Sequence, residues 1–255
     1  MNAHRFKLAC ESVIHAEREQ NGIGTLGEKT LHAVLKHYYE PDEANHEIKI
    51  GSFVADIVTN SSQAPAVGEI IEIQTRSFDK LRKKLLEFLE IGPVIVVYPI
   101  PKTKWLLWID EETGEITKKR KSPKQGQIYD VILELYKIKP FLIHPNFRLC
   151  IVLIDLEEYR YLNGWSKDKK KGSTRCDRVP IDIVEEVYIN SIADYMKFIP
   201  KGLNHQFTSK DYRDAAKTSL RTSQTALNIL HYIGVVKRVG KQGRLYLNEC
   251  VHVKS

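Results

Sequence analysis

The chain has 255 residues, enough for one large domain or two small ones, and its 42% hydrophobic and 28% charged residues are ordinary for a soluble globular protein. No apolar run reaches the ~18 residues needed to span a bilayer, so no membrane partner is expected. The net charge of +7 favours a polyanionic partner, and the excess lies in residues 186–255, which carry 11 Lys/Arg against 5 Asp/Glu while the rest carries 28 against 27.

The chain begins with two predicted helices. Residues 3–20 repeat apolar side chains at helical spacing but carry charges throughout, so they lack the apolar segment of a signal peptide. The four cysteines are scattered without a CxxC pair, which disfavours a zinc site or disulfide framework and favours a cytoplasmic protein. A second helix is predicted over residues 27–39, where Thr25 and Glu28 have the spacing of a capping box.

Three strands follow, two of which carry acidic side chains. The first two are predicted over residues 46–53 and 54–60, with Asp56 on the second, and the third carries Glu72 and Gln74. Because side chains alternate between the faces of a strand, Glu72 and Gln74 point the same way. Acidic groups on adjacent apolar strands need a positive partner, which a lysine, an arginine or a divalent cation such as Mg²⁺ or Mn²⁺ would supply.

The same acids also have structural interpretations that the sequence leaves open. Asp56 fits a strand-end acid bound by main-chain amides. Glu72 fits a cross-strand partner of Lys49. Glu28 fits the capping box, a role that is compatible with a metal site.

The next helix, predicted over residues 78–90, is amphipathic. Its core-facing side chains are Leu81, Leu85, Phe88 and Leu89. Its outward-facing side chains are basic: Lys80, Arg82, Lys83 and Lys84. One of these cations is a candidate to supply positive charge to the acidic strands, and a solvated helix face is the structural alternative.

The middle of the chain mixes strands and helices in the manner of an α/β domain. The predicted elements are a strand at 93–101, a strand pair over 104–119, a helix at 128–142 and a strand at 147–156. Residues 157–178 have few aliphatic side chains and a Lys-rich tract, which indicates a linker or a DNA-contacting loop. A helix or helix pair is predicted over residues 180–198.

The C-terminal pattern predicts two helices and a β-hairpin. Thr208 and Ser209 cap the first helix, and Thr222 and Ser223 begin the second, which ends at Gly234. A hairpin with its turn at residues 240–243 follows.

The order helix, three strands, helix, strand, with Asp56 on the second strand and Glu72, Ile73 and Gln74 on the third, resembles the PD-(D/E)XK nuclease superfamily. The resemblance covers about residues 20–101 and implies an α/β fold, a restriction-endonuclease-like mixed sheet flanked by helices. It implies the catalytic set Glu28, Asp56, Glu72 and Gln74, with Asp56, Glu72 and the Ile73 carbonyl as ligands of Mg²⁺ or Mn²⁺. The chain departs from the family where Ala55 replaces its usual proline and Gln74 its usual lysine.

The C-terminal helices and hairpin resemble the winged helix-turn-helix domains of bacterial DNA-binding proteins, which implies double-stranded DNA as the partner. The side chains expected to be exposed near the start of the second helix and to contact bases are Arg221, Thr222, Ser223, Gln224 and Asn228. The side chains expected to contact phosphates from the hairpin are Lys237, Arg238, Lys241 and Arg244. A winged helix that binds protein is the alternative.

These patterns divide the chain into a nuclease-like domain (1–160), a basic linker or loop (161–180) and a winged helix domain (181–255). The favoured function is a magnesium-dependent DNA endonuclease, which hydrolyses phosphodiester bonds. A homodimer is compatible with this function. The alternative is a non-catalytic transcription regulator whose degenerate nuclease-like domain serves for sensing or dimerisation, and the missing lysine at position 74 supports it. An RNA-directed enzyme is a third hypothesis.

Overall fold

The computed structural model describes residues 3–20, 30–59, 68–163 and 174–251 and has an α/β architecture with a large mixed sheet flanked by helices. Among these residues the α-helices are α1 (Ala3–Gln20), α2 (Thr30–Tyr39), α3 (Leu81–Ile91), α4 (Ile132–Lys137), α5 (Ser209–Ala216) and α6 (Leu220–Ile233). None of the described helices combines the length and the apolar character that crossing a membrane requires.

The described strands form two sheets. The strands are β1 (His46–Ile50), β2 (Phe53–Val58), β3 (Ile70–Ile73), β4 (Val94–Ile109), β5 (Arg120–Lys121), β6 (Phe147–Tyr161), β7 (Thr174–Ile189), β8 (Gln206–Phe207), β9 (Val236–Gln242) and β10 (Leu245–Cys250). The larger sheet has the order β1-β2-β3-β4-β6-β7, and β5 pairs with β4. β3 is antiparallel to β2 and parallel to β4, so the sheet is mixed. The smaller sheet has the order β8-β10-β9.

The chain forms two compact units, each built from three separate stretches. The first unit comprises Met1–Glu47, Pro99–Gln127 and Val152–Glu186. In it α1 packs on α2, with the rings of Phe6 and Tyr38 edge to face at 5.7 Å. The second unit comprises Ile48–Tyr98, Ile128–Ile151 and Val187–Ser255, and its fully buried side chains include Leu85, Phe88 and Val96.

Several predicted elements are confirmed. The first helix has the predicted bounds, and Leu81, Leu85, Phe88 and Leu89 of α3 are all buried. Thr208 caps α5, since its side chain accepts from the Lys210 and Asp211 main-chain amides. Gly234 ends α6 with a left-handed φ of 88°.

β4 is longer than the sequence pattern indicates, because it joins two predicted strands through Pro99 and Pro101. The last residue of β4 that pairs with β3 is Val97. Both prolines lie beyond that point, so their missing N–H groups remove no hydrogen bond of the β3 ladder.

The helix predicted over residues 180–198 was wrong. β7 continues to Ile189, and a short 3-10 helix, Ala193–Phe198, follows. The segment is rich in β-branched residues, which favour strands, and the apolar spacing alone fits either element. Of the predicted linker, residues 164–173 lie outside the described residues and 174–180 belong to β7. The domain boundaries predicted at 160 and 180 therefore fall inside β6 and β7.

The approach of β2 to β3 depends on Gly68, which generates a testable prediction. A Cβ atom at Gly68 would lie 1.4 Å from the Thr59 carbonyl oxygen, so the main chain would have to move. We expect Gly68→Ala to lower the free energy of unfolding by about 3 kcal/mol, measured by urea denaturation. Gly240→Ala is the matched control, since its Cβ would meet nothing closer than Leu247 Cδ1 at 4.0 Å. Equal stability of the two variants would contradict the close approach.

Candidate active site

Two carboxylates lie side by side on β2 and β3. The strands pair in antiparallel register, Ile57 opposite Ile71 and Val58 opposite Ile70. Ile57, Ile70 and Ile71 are buried, and this register fixes the strands on which Asp56 and Glu72 stand. Asp56 is half-buried, whereas the side chain of Glu72 is completely buried.

The main chain of each strand binds the carboxylate of the other. The Ile73 amide donates to Asp56 Oδ2 at 2.8 Å, and the Asp56 amide donates to Glu72 Oε1 at 3.2 Å. The bond from the Ile73 amide to the Asp56 carboxylate is the contact expected if Asp56 is a structural acid bound by main-chain amides. These reciprocal bonds hold the two acids at a defined position on the sheet.

Lys84 of α3 supplies the positive partner of Glu72. Its Nζ donates to Oε1 at 3.0 Å and to Oε2 at 2.8 Å. Residue 84 flanks the apolar stripe of α3, because it lies three or four positions from Leu81 and Phe88 on the helix. Its side chain is 24% exposed, so the ammonium lies where the buried acid meets the surface. We name Asp56, Glu72 and Lys84 the acidic cluster.

Burial, followed by repulsion from Asp56, raises the pKa of Glu72 to about 7, although the Lys84 ammonium and the Asp56 amide oppose the shift. Glu72 therefore changes its protonation state near neutral pH, which is uncommon for a carboxyl group. Such a shift of a buried acid by desolvation and a like charge is typical of functional sites, although structural ion pairs also produce it.

The remaining predicted residues of this site have different outcomes. Gln74 directly follows β3 and is half-buried, and its main-chain N–H donates to the Val97 carbonyl at 2.8 Å. Glu28 lies outside the described residues. The pairing of Glu72 with Lys49 was wrong: Lys49 is exposed, and Lys84 occupies the carboxylate.

The acidic cluster offers oxygen ligands of the kind that Mg²⁺ prefers. Within the described ranges, no group of three or more His, Cys, Asp or Glu side chains converges as a metal site would. Mg²⁺ is commonly held by only one or two carboxylates, with water and substrate phosphates completing its shell. Asp56, Glu72 and the Ile73 carbonyl are therefore a chemically suitable set, provided that Lys84 shares Glu72 with the ion.

The predicted base-contacting residues of α6 separate into exposed and buried sets. Arg221, Gln224 and Asn228 are exposed as expected. The expected exposure of Thr222 and Ser223 was wrong, since they are 9% and 0% exposed. The helix begins at Leu220, two residues earlier than predicted, with Ser219 as its cap, so both residues lie within its first turn. Ser223 Oγ donates to the Leu220 carbonyl at 2.9 Å, and Thr222 bonds to the cap through its hydroxyl and amide.

The hairpin β9–β10 carries the predicted basic residues around an aromatic ring. Arg238 lies over the Tyr246 ring at 4.1 Å, and Lys241 lies at 5.3 Å from the same ring. Arg244 is exposed, whereas Lys237 pairs with Glu249 at 2.9 Å. A cavity of about 260 Å³ lies between this hairpin and α6, and its lining includes Gln224, Asn228, Arg238, Arg244 and Tyr246.

Sequence reasoning missed two contributors to this basic surface. Tyr246 lies in the predicted hairpin, and the position of the hairpin turn was the signal that could have placed it opposite Lys241. Lys139, whose Nζ donates to Asn228 Oδ1 at 3.1 Å and lies 4.8 Å from the Tyr232 ring, comes from 89 residues earlier. Only the tertiary structure brings it to α6.

The geometry defines an α/β protein with an acidic cluster on two strands of a mixed sheet. A family described as a domain of unknown function, DUF8091, matches residues 29–190, and the chain belongs to this family. An uncharacterized protein of Treponema pallidum (strain Nichols) is 30% identical over 153 residues, which are 60% of this chain and 56% of that protein. The chain thus spans little more than half the length of this relative. No solved structure matches the chain significantly.

The pKa of Glu72 gives a prediction with a definite sign. A carboxyl whose pKa is raised from 4.5 to about 7 by folding stabilises the folded state most below pH 4.5, and this contribution is lost as the pH rises to about 7. We expect Lys84→Met to lower the free energy of unfolding by about 3 kcal/mol at about pH 8, where Glu72 is ionised, and by about 1 kcal/mol at about pH 5.

Urea denaturation of the wild type and the variant at both pH values measures this difference. Lys83→Met is the control, because Lys83 lies on the same helix and is exposed. A Lys84→Met effect that is equal at the two pH values would contradict the coupling of Lys84 to the Glu72 charge.

Proposed function

We propose that this protein binds double-stranded DNA and hydrolyses its phosphodiester bonds with a divalent metal. The observation that carries the proposal is the acidic cluster, in which Lys84 of α3 binds the Glu72 carboxylate and Asp56 of the adjacent strand lies close enough to repel the Glu72 charge. Two neighbouring carboxylates and a lysine are the side chains that PD-(D/E)XK nucleases use.

The order of elements supports a restriction-endonuclease-like core. α2 precedes three consecutive strands, α3 follows them, and β4 then pairs parallel to β3. The lysine of this site, however, comes from α3 and not from β3. In this proposal Lys84 supplies the lysine that Gln74 replaces at the usual position. The sequence pattern presented Lys84 only as one of four basic residues on this helix.

Each side chain has a task that follows from its chemistry. Asp56, Glu72 and the Ile73 carbonyl would hold Mg²⁺ or Mn²⁺, which when bound lowers the pKa of water and stabilises charge on phosphate. Lys84 keeps an ammonium beside Glu72 and can attract a phosphate or stabilise negative charge in the transition state. Gln74 can orient water or phosphate by hydrogen bonding, but an amide is neither a base nor a cation.

The C-terminal elements support a winged helix as the DNA-binding part. β8, α5, α6 and the hairpin β9–β10 follow one another, and β8 and β9 both pair with β10. The exposed polar side chains of α6 suit base edges, and the basic hairpin suits phosphates. In this proposal Thr222 and Ser223 position α6 and do not touch bases, because both are buried.

The catalytic proposal predicts loss of cleavage without loss of DNA binding. We expect Asp56→Asn, Glu72→Gln and Lys84→Met each to lower the rate of Mn²⁺- or Mg²⁺-dependent cleavage of plasmid and linear DNA by at least ~100-fold. Lys83→Met, an exposed neighbour, should cleave like the wild type. Cleavage that persists in Asp56→Asn would overturn the assignment of the site.

One observation favours the alternative, a non-catalytic transcription regulator. Lys84 binds both oxygens of Glu72, as a structural ion pair would. Calorimetric titration with Mn²⁺ in the same variant series separates the two functions. Binding that disappears in Asp56→Asn and Glu72→Gln supports the hydrolase, whereas a wild type that binds DNA but no Mn²⁺ supports the regulator.

The winged helix proposal predicts two distinct effects on DNA binding. Arg244→Gln should weaken binding to all sequences alike and reduce the slope of log affinity against log salt by about one. Gln224→Ala should reduce discrimination between preferred and random sequences by about 1–3 kcal/mol. Arg213→Gln on α5, whose guanidinium pairs with Asp214, is the charge-matched control. Fluorescence anisotropy with selected and random duplexes measures both, and effects equal to the control would contradict the placement of DNA on α6 and the hairpin.

A further inference from the structure

A second charged cluster lies in the first unit, around Glu158 of β6. The Glu158 side chain is completely buried, and both of its carboxylate oxygens accept hydrogen bonds. Among the described residues, four cations from three strands surround it: Lys104 of β4, Arg160 of β6, and Arg175 and Arg178 of β7. We name these five residues the Glu158 cluster.

The contacts of this cluster are close and converge on one carboxylate. Lys104 Nζ lies 3.4 Å from Oε1, and Arg160 Nε donates to the same oxygen at 2.8 Å. Arg178 Nε donates to Oε2 at 3.0 Å, with Arg175 Nε at 3.5 Å. Glu158 therefore orients the guanidinium groups.

The positive charge of the cluster exceeds the charge of its acid. Glu158 contributes one negative charge, whereas Lys104 and Arg178, which both bind it, contribute two positive charges. Arg148 and Glu69, by contrast, match one base with one acid at 2.6 Å. The Glu158 cluster is thus a local concentration of positive charge on the sheet.

The electrostatics of the cluster agree with this excess. Burial opposes ionisation of Glu158, but Arg178, Arg160 and Lys104 outweigh it and lower its pKa to about 2, so the acid stays charged at neutral pH. Burial lowers the pKa of Lys104, and repulsion from Arg178 and Arg160 adds to the shift, while Glu158 opposes it. Crowded cations of this kind are relieved by a further anion.

The four cationic side chains keep a path to solvent, since their exposed fractions are 22% for Lys104, 20% for Arg160, 37% for Arg175 and 16% for Arg178. A guanidinium carries five N–H donors in a planar fork that matches the oxygens of phosphate, and the Nε bond of Arg178 to Glu158 uses one of them. Holding such groups in place before a ligand arrives lowers the entropic cost of binding it.

We infer that the Glu158 cluster binds a phosphate group, with Arg178 and Lys104 as the principal contacts and Glu158 as the positioning residue. The phosphate belongs either to a nucleic-acid backbone or to a free phosphorylated ligand, which share the same oxyanion chemistry. The Glu158 cluster shares no residue with the acidic cluster, with α6 or with the hairpin β9–β10. The inference therefore does not depend on the proposed nuclease activity.

Calorimetric titration of the full chain with inorganic phosphate at low ionic strength is the first arm of the test. We expect Arg178→Gln and Lys104→Gln to weaken binding by at least ~10-fold, the loss of one charged hydrogen bond. Arg178→Lys should recover part of the affinity, because it restores the charge without the fork.

Lys119→Gln is the control. Lys119 pairs with Glu157 at 2.6 Å, and successive residues of a strand face opposite sides of the sheet. Lys119→Gln removes one positive charge, as the cluster variants do, but leaves the Glu158 cluster intact. This control variant should therefore bind phosphate like the wild type.

A short fluorescent DNA duplex forms the second arm, with affinity measured for the same variants. Weaker duplex binding in Arg178→Gln but not in Lys119→Gln assigns the phosphate to a nucleic-acid backbone. Weaker phosphate binding with unchanged duplex affinity assigns it to a free ligand. The inference is overturned if the cluster variants match Lys119→Gln in both arms while circular dichroism shows them folded. Because the phosphate arm uses neither metal nor cleavage, an inactive nuclease site would not change its result.

Discussion

The burial of Glu72 is the constraint on which the second unit depends. All four residues of β3 are buried, so an ionised carboxylate on this strand costs several kcal/mol unless its oxygens are bound. Lys84 and the Asp56 amide provide those bonds. The register of α3 against the sheet, the pairing of β2 with β3 and the protonation of Glu72 are therefore coupled, because displacement of any one leaves a buried charge without its partner.

Local sequence patterns predicted the parts of this site that local rules control. Alternation placed Asp56 and Glu72 on strands, and helical periodicity gave a basic face to α3. The same periodicity places Lys84 at one edge of the apolar stripe, near Leu81 and Phe88, and Arg82 at the other edge, near Leu85 and Leu89, so it does not single out Lys84. A cation at the edge of an apolar stripe is the one that can reach a buried acid from the helix.

The failures have equally specific causes. The β-branched residues of β7 have apolar spacing that fits a helix as well as a strand, and only pairing with β6 decides between them. The start of α6 was placed two residues late because Thr222 and Ser223 resemble capping residues, and Ser219 competes with them as the cap. The Glu158 cluster gave no sequence signal, since Lys104 lies 54 residues from its acid and Arg178 lies 20.

The division of both units into three stretches has a consequence for synthesis of the chain. The first unit has all its residues only after Glu186 has left the ribosome, and the second only when its last stretch has followed. Because the stretches of the two units alternate along the chain, neither unit is synthesised as one continuous block. Asp56, Glu72 and Lys84, by contrast, share the single stretch Ile48–Tyr98. The nascent chain can bring the acid and its lysine together before the later stretches of either unit exist.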